Sequence, residues 1–238
     1  MRRKILASLL LIGEATLVVV RQLPVLFYAG FLPIVAIFML SAITLPVKHI
    51  IGLRIVLALA ALPFYVMFAT TVHRVVILGR NGLPSRSGIF WTERETRFLG
   101  WFIGLWFVYF AVALSVGLVL YGLTSIASGT TLSWLALFLT YFVAAYYQGR
   151  LGLVLPATAV DKHLDYTQAW DISRGKGIMI AIAIFVPGML LVAAEYVLAA
   201  GTDEALAPFV DFIWTLLTIP VFAIEIAIIS RAYVKLTD

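Results

Sequence analysis

The sequence predicts an all-α, polytopic transmembrane helical bundle of about six spans, with an N-terminal interfacial helix and a short cytoplasmic surface helix. Three observations predict it. Hydrophobic residues make up 63% of the 238-residue chain and charged residues only 12%, whereas soluble domains are roughly half apolar and a quarter charged. The apolar residues fall in long runs without alternation, which excludes the ~10-residue alternating strands of a transmembrane barrel. The basic residues gather in every second connection, as the positive-inside bias requires.

The elements follow in order. Residues 4–20 are expected to form a helix lying in the cytoplasmic interface. Its charges, Arg2, Arg3, Lys4, Glu14 and Arg21, reach headgroup level while its leucines dip into the acyl region. The stretch is slightly short for a span, and Glu14 sits where a signal peptide would carry its small-residue cleavage site. Six later segments are long and apolar enough to span, at about 24–45, 51–72, 98–123, 132–155, 178–200 and 208–230. No linker or soluble region separates them, so residues 1–238 read as one integral membrane domain.

Of 17 Lys and Arg residues, all but Lys48 and Arg54 fall at the N-terminus, in the connections near 74–97 and 150–176, or at the C-terminal end. That side is expected to be the cytoplasm, in a bacterial inner membrane with both termini cytoplasmic. The first cytoplasmic connection opens with turn residues, Gly79, Asn81-Gly82, Pro84 and Ser87-Gly88. It then starts a new helix through a Thr92–Glu95 capping box beside the interfacial anchor Trp91. The second connection holds a cap pair, Asp165 with Gln168, and a surface helix over 165–174 that Gly175 and Gly177 end. The outer loops, 124–131 and 201–207, carry no basic residue.

Composition also excludes chemistry. With no cysteine there is no disulfide, thiolate nucleophile or zinc ribbon. His49, His73 and His163 form no metal-binding pattern, and no nucleophile elbow, P-loop or dinucleotide fingerprint occurs. No cofactor and no enzymatic activity are expected. The net charge of +5 is explained by topology, so nucleic acid is not an expected partner.

Ionisable residues inside the spans are where a site is sought, because each costs a few kcal/mol unless partnered or hydrated. Glu225 stands out in the sixth span, six residues before Arg231 and hence ~9 Å below that helix end. Arg150 and Arg74 lie at similar depth, so an intramembrane ion pair of Glu225 with Arg150 or Arg74 is expected. Glu195 lies near the outer end of the fifth span and is expected to snorkel. The basic rim, Trp91, Arg94, Arg97, Lys162, Trp170, Arg174 and Lys176, offers contacts to anionic lipid headgroups.

The stretch Arg150-Leu151-Gly152-Leu153-Val154-Leu155-Pro156, then Ala169-Trp170, then Ser173-Arg174-Gly175-Lys176-Gly177 carries a resemblance. It is similar to a loose superfamily of bacterial six-helix inner-membrane proteins. These are uncharacterised YciC-like proteins and the membrane domain that precedes some glycerophosphodiester phosphodiesterases. The resemblance implies a small accessory membrane protein and no catalytic residues, since the phosphodiesterase domain is absent. The expected function is therefore a non-enzymatic accessory, assembly or scaffold subunit, with membrane lipids and other membrane subunits as partners. The alternative is a small transporter or lipid-handling protein with a site near Glu225 and Arg150. Polar groups converging on a cavity distinguish the alternative from a dry bundle with isolated ion pairs.

Overall fold

A computed structural model describes residues 2–44, 50–83, 91–126, 130–200 and 207–237. These residues form an all-helical bundle: α1 (Arg2–Arg21), α2 (Leu23–Thr44), α3 (Ile51–Leu78), α4 (Glu93–Ile126), α5 (Thr130–Leu151), α6 (Val154–Ala159), α7 (Tyr166–Ile172), α8 (Gly177–Ala200) and α9 (Ala207–Thr237). The expected turn at 84–88, the outer loops with Lys48 and residues 201–206, and the middle of the 124–131 loop lie outside the described residues.

Five helices among the described residues are long and apolar enough to cross a membrane: α2, α3, α4, α8 and α9. The chain is a membrane-embedded helical bundle. The expected fourth span, 132–155, corrects to a different shape. The apolar run ends as a continuous helix at Leu151, and α6 follows as a separate turn. The amide of Gly152 still donates to Gln148 O at 2.8 Å, but a Cβ at Gly152 would collide with that same carbonyl. A turn at 152–153 leads into α6, every residue of which is buried. Tyr146, Tyr147, Gln148 and Arg150 make the last turns of α5 polar.

The long helices pack as antiparallel neighbours, α2 on α3, α4 on α5, α5 on α8 and α8 on α9, while α9 runs parallel to α3, its Phe222 against Tyr65 and its Ser230 against His73. Cross-links place the basic helix ends together. Arg74 of α3 and Arg94 of α4 both reach Asp161, and Lys235 of α9 reaches Glu14 of α1 at 2.7 Å. Ser8 of α1 donates to Met179 O at the start of α8 at 2.9 Å. α1 therefore lies across the basic ends of α8 and α9. It turns Ser8, Leu11, Ala15 and Val19 inward while Leu6, Leu10, Leu17 and Val20 face out. The spacing of the buried set is that of one helix face.

The core sits in the basic half. It joins Val66–Val76 positions of α3, α6, Ile180–Phe185 of α8 and Ala223–Tyr233 of α9. Small residues at the crossings, Ala144, Ala145, Ala181, Ala183, Ala223 and Ala227, let backbones approach. At the opposite end Ile51, Ile55, Val56 and Leu59 of α3 and Leu114 and Leu118 of α4 face outward.

Candidate functional site

Two polar constellations sit where the sequence places charge inside the bundle. The first is a caged arginine. Arg150 is 6% exposed, so its guanidinium needs partners to offset the loss of water. It donates through Nε to Ser173 Oγ at 2.9 Å, through Nη1 to Tyr146 Oη at 3.1 Å, and through Nη2 to Trp170 O. The Trp170 ring lies 3.4 Å from the guanidinium carbon, a cation–π contact, and Tyr147 stacks with Trp170 at 5.9 Å between ring centroids. Gly177 makes the cage possible: a Cβ there would lie 2.8 Å from Arg150 Cδ and 2.8 Å from Tyr146 Cε2. Asp165 and Gln168 form the reciprocal capping box that starts α7 and holds Trp170 in place. The residues behind the sequence resemblance thus assemble into one structural unit.

The second constellation surrounds Glu225. A cavity of about 280 Å³ lies between α4, α5, α8 and α9 and reaches the Glu225 side chain. Tyr109, Tyr141, Tyr147, Gln148 and Trp106 line it with the apolar Phe102 and Phe222. Glu225 gains its room from the Pro187-Gly188 step in α8. A Cβ at Gly188 would stand 3.1 Å from Glu225 Oε1 and 3.5 Å from Tyr141 Cε1. Pro187 and Pro220 both lie inside helices and each leaves one carbonyl without its helical donor, on the two helices that flank the carboxylate.

A second, larger space adjoins the first. A groove of about 930 Å³ runs between α2, α3, α4 and α9, and Phe102, Trp106 and Phe222 line both spaces. Its walls are apolar apart from Ser41 and Tyr65, and Arg54, far from Glu225 on α3. Phe222 forms the partition, held edge-on by Tyr65 at 5.8 Å and stacked with Phe68 at 6.2 Å.

The expected ion pair does not form. Arg150 is held in its cage. Arg74 donates through Nε to Gly82 O at 2.7 Å and through Nη1 to Ala159 O at 2.8 Å, and it meets Asp161 at 3.3 Å. Among the described residues no ion pair includes Glu225. Sequence spacing sets depth but not position around the bundle, so residues at one level ended on different faces.

The basic rim divides. Arg94 holds Asp161 through Nε and Nη2, each at 2.9 Å, and Asp161 sits at a positive φ of 60°. The Arg94 hydrogen bond holds the Asp161 carboxyl below its usual range, with burial opposing and Arg74 assisting. Trp170 belongs to the arginine cage, and Trp91 donates to Thr96 Oγ1 at 2.9 Å. Arg174 pairs with Asp171 at 3.2 Å and Arg97 with Glu93 at 3.9 Å, all at the surface. Arg97 and Lys162 share a surface cleft with His163. Lys176 is exposed at the turn before α8.

Sequence reasoning missed the buried pair of His73 and Ser230. Their Nδ1 and Oγ lie 2.7 Å apart, and the Ser230 hydroxyl donates to Ile226 O at 2.9 Å. Which of Nδ1 and Oγ donates to the other follows the His73 tautomer. His73 and Ser230 both fall at inner helix ends, which the sequence shows, but their facing does not follow from it. Among the described residues no group of three or more His, Asp and Glu side chains is placed to hold a metal ion.

The fold and these sites define a membrane-embedded helical bundle with an intramembrane acidic chamber. No family model, no curated protein and no solved structure matches the chain.

Proposed function

We propose that the chain is a small transporter or lipid-handling protein whose site is the Glu225 chamber, in a bacterial inner membrane with both termini in the cytoplasm. The observation that carries this reading is convergence. A carboxylate, three tyrosines and a glutamine from three helices meet in one cavity at membrane depth, beside a groove open along α3 and α4. A membrane carboxylate without an ion-pair partner costs stability and is retained where it meets a solute or a proton. The arginine cage then serves as the rigid end against which the chamber is built, and the basic rim, with Arg97 and Lys162, contacts anionic headgroups.

The experiment is extraction of the tagged protein in mild detergent from its native membrane, beside a Glu225→Gln variant. Co-purifying chains, lipids and solutes are identified by mass. The proposal expects one enriched lipid or solute that the variant loses. A stoichiometric partner chain with no enriched small molecule would contradict it. That result would favour an accessory subunit, the second reading. Its support is the outward stripe Ile103, Phe107, Phe110, Leu114 and Leu118 on α4, spaced as one helix face for a partner helix.

A further inference from the structure

We infer that the Glu225 chamber binds a lipophilic organic monocation, such as a quaternary ammonium or hydrophobic amine, that arrives through the α3–α4 groove. The inference rests on the transporter or lipid-handling reading and names its ligand class.

The walls carry the argument. Phe102, Trp106, Tyr109, Tyr141, Tyr147 and Phe222 surround the chamber, and Glu225 supplies its one formal charge, which is negative when ionised. Aromatic faces attract cations through the ring quadrupole, most strongly where water is scarce. A carboxylate among such faces is complementary to a positive charge whose own surface is greasy. A hard metal cation would instead need several oxygen ligands, and the chamber offers one carboxylate, one amide and phenols. An anion would meet no cationic side chain there, because Arg150 and Arg74 are engaged elsewhere.

Size and access agree with this class. About 280 Å³ accepts a small aromatic or branched ammonium head, at the low end of ligand pockets, and the adjoining 930 Å³ groove accepts an apolar tail. The groove faces the apolar surface between α3 and α4, where Ile55, Leu59, Ile103, Phe107 and Phe110 are exposed. A ligand already dissolved in the bilayer reaches Phe222 and Trp106 without crossing the packed basic half. Trp106 stands at the junction of both spaces, 6.2 Å from Phe102 and 6.2 Å from Tyr109 between ring centroids. It is therefore both a wall and a reporter.

The test uses the full chain in lipid nanodiscs and two probes of one shape. Benzyltrimethylammonium is the cation, and neopentylbenzene is its uncharged isostere. Binding is followed by tryptophan fluorescence and by calorimetry, for the native chain, Glu225→Gln and Trp106→Leu. The expected result is saturable binding of the cation that weakens at least about 30-fold in Glu225→Gln, the scale of losing a desolvated charge partner. Trp106→Leu weakens it about threefold or more, from the lost cation–π contact. The neutral probe binds Glu225→Gln as it binds the native chain, which shows that the variant keeps its cavity. Equal binding of both probes by the native chain would overturn the cation assignment and leave a ligand chamber standing. Binding of neither probe would overturn both the assignment and the proposed function.

Discussion

On α9, Ala227, Ile228 and Ile229 are enclosed, while Leu216 and Leu217 earlier on the same helix face outward. α3 shows the same division, with Val66, Val72 and Val75 buried and Ile51, Val56 and Leu59 exposed. Both halves are apolar, so hydropathy does not separate them. Residue size and polar pairing do. The basic half places alanines and glycines at its crossings and closes hydrogen bonds such as His73–Ser230 and Arg150–Ser173. The other half lines the groove mainly with Leu, Ile, Phe and Trp side chains, beside Ala58 and Ala61. In lipid, where tails are as apolar as leucine, close contact of small residues and polar pairs is what draws helices together. The Glu225 chamber lies at the border of the two regimes.

The largest way to break this contrast is at the arginine cage. Arg150→Ala takes the donor from the Ser173 hydroxyl oxygen, leaves the Trp170 carbonyl with the Ser173 hydroxyl alone, and opens the space under Trp170. Unfolding in nanodiscs is expected to show a loss of about 3–5 kcal/mol. Arg150→Lys recovers little, because a lysine ammonium lacks the planar fork and the stacked face. A loss below about 1 kcal/mol for Arg150→Ala would mean that the cage does not hold the basic half together.

Next is the His73–Ser230 pair. Ser230→Ala leaves His73 Nδ1 without its partner in a dry site and is expected to cost about 1–2 kcal/mol. Adding His73→Leu removes the stranded ring nitrogen, so the double variant is expected to be more stable than Ser230→Ala. Additive losses in a double-mutant cycle would refute the coupling.

Acid acts more weakly. The Asp161 carboxyl is held below its usual range by Arg94, so its stabilisation is complete above the unfolded-state value near pH 4 and fades as pH falls through the lower folded value. Glu14 behaves alike, held down first by its hydrogen bond from Lys235. Asp161 is 48% exposed, so solvent screening keeps its share below about 1 kcal/mol. The melting temperature is therefore expected to drop modestly below about pH 4, and Asp161→Asn to reduce that drop. An unchanged acid slope in the variant would remove Asp161 from the account.

Smallest is Leu59→Ala in the outward half, with an expected change within about 0.5 kcal/mol, since the residue faces out at 63% exposure. A loss of core size at Leu59 would show that the outer half packs against something the bundle alone does not contain.

Much of this was legible in the chain. Long apolar runs define α2, α3, α4, α8 and α9, and the Asp165–Gln168 cap marked α7 before any contact was known. Thr92 and Glu95 marked the start of α4, although there the hydroxyl reaches the Arg94 amide at 3.3 Å rather than the next one along. The break at Gly152 was not legible, because Leu151 to Leu155 is as apolar as a span and only the close approach to Gln148 O shows why the helix stops. Glu225 could be singled out by its depth. Its neighbours could not, since Gly188, Tyr141 and Trp106 come from three other helices, α8, α5 and α4, whose rotation only packing decides. Arg150 was likewise visible as a buried cation, but its partners Ser173 and Trp170 lie across a turn that spacing alone reads as surface.

The account stands on Glu225 being reachable from the bilayer. Dicyclohexylcarbodiimide, which partitions into lipid and reacts with carboxyl groups, tests this in native membranes, with a water-soluble carbodiimide as control and the modified residues mapped by mass. The account predicts lasting modification of Glu225 by the lipophilic reagent, none by the water-soluble one, and protection by benzyltrimethylammonium. An unmodified Glu225 under conditions where the exposed Glu93 reacts would contradict it, and would make Glu225 a carboxyl sealed within the packing rather than the floor of a site.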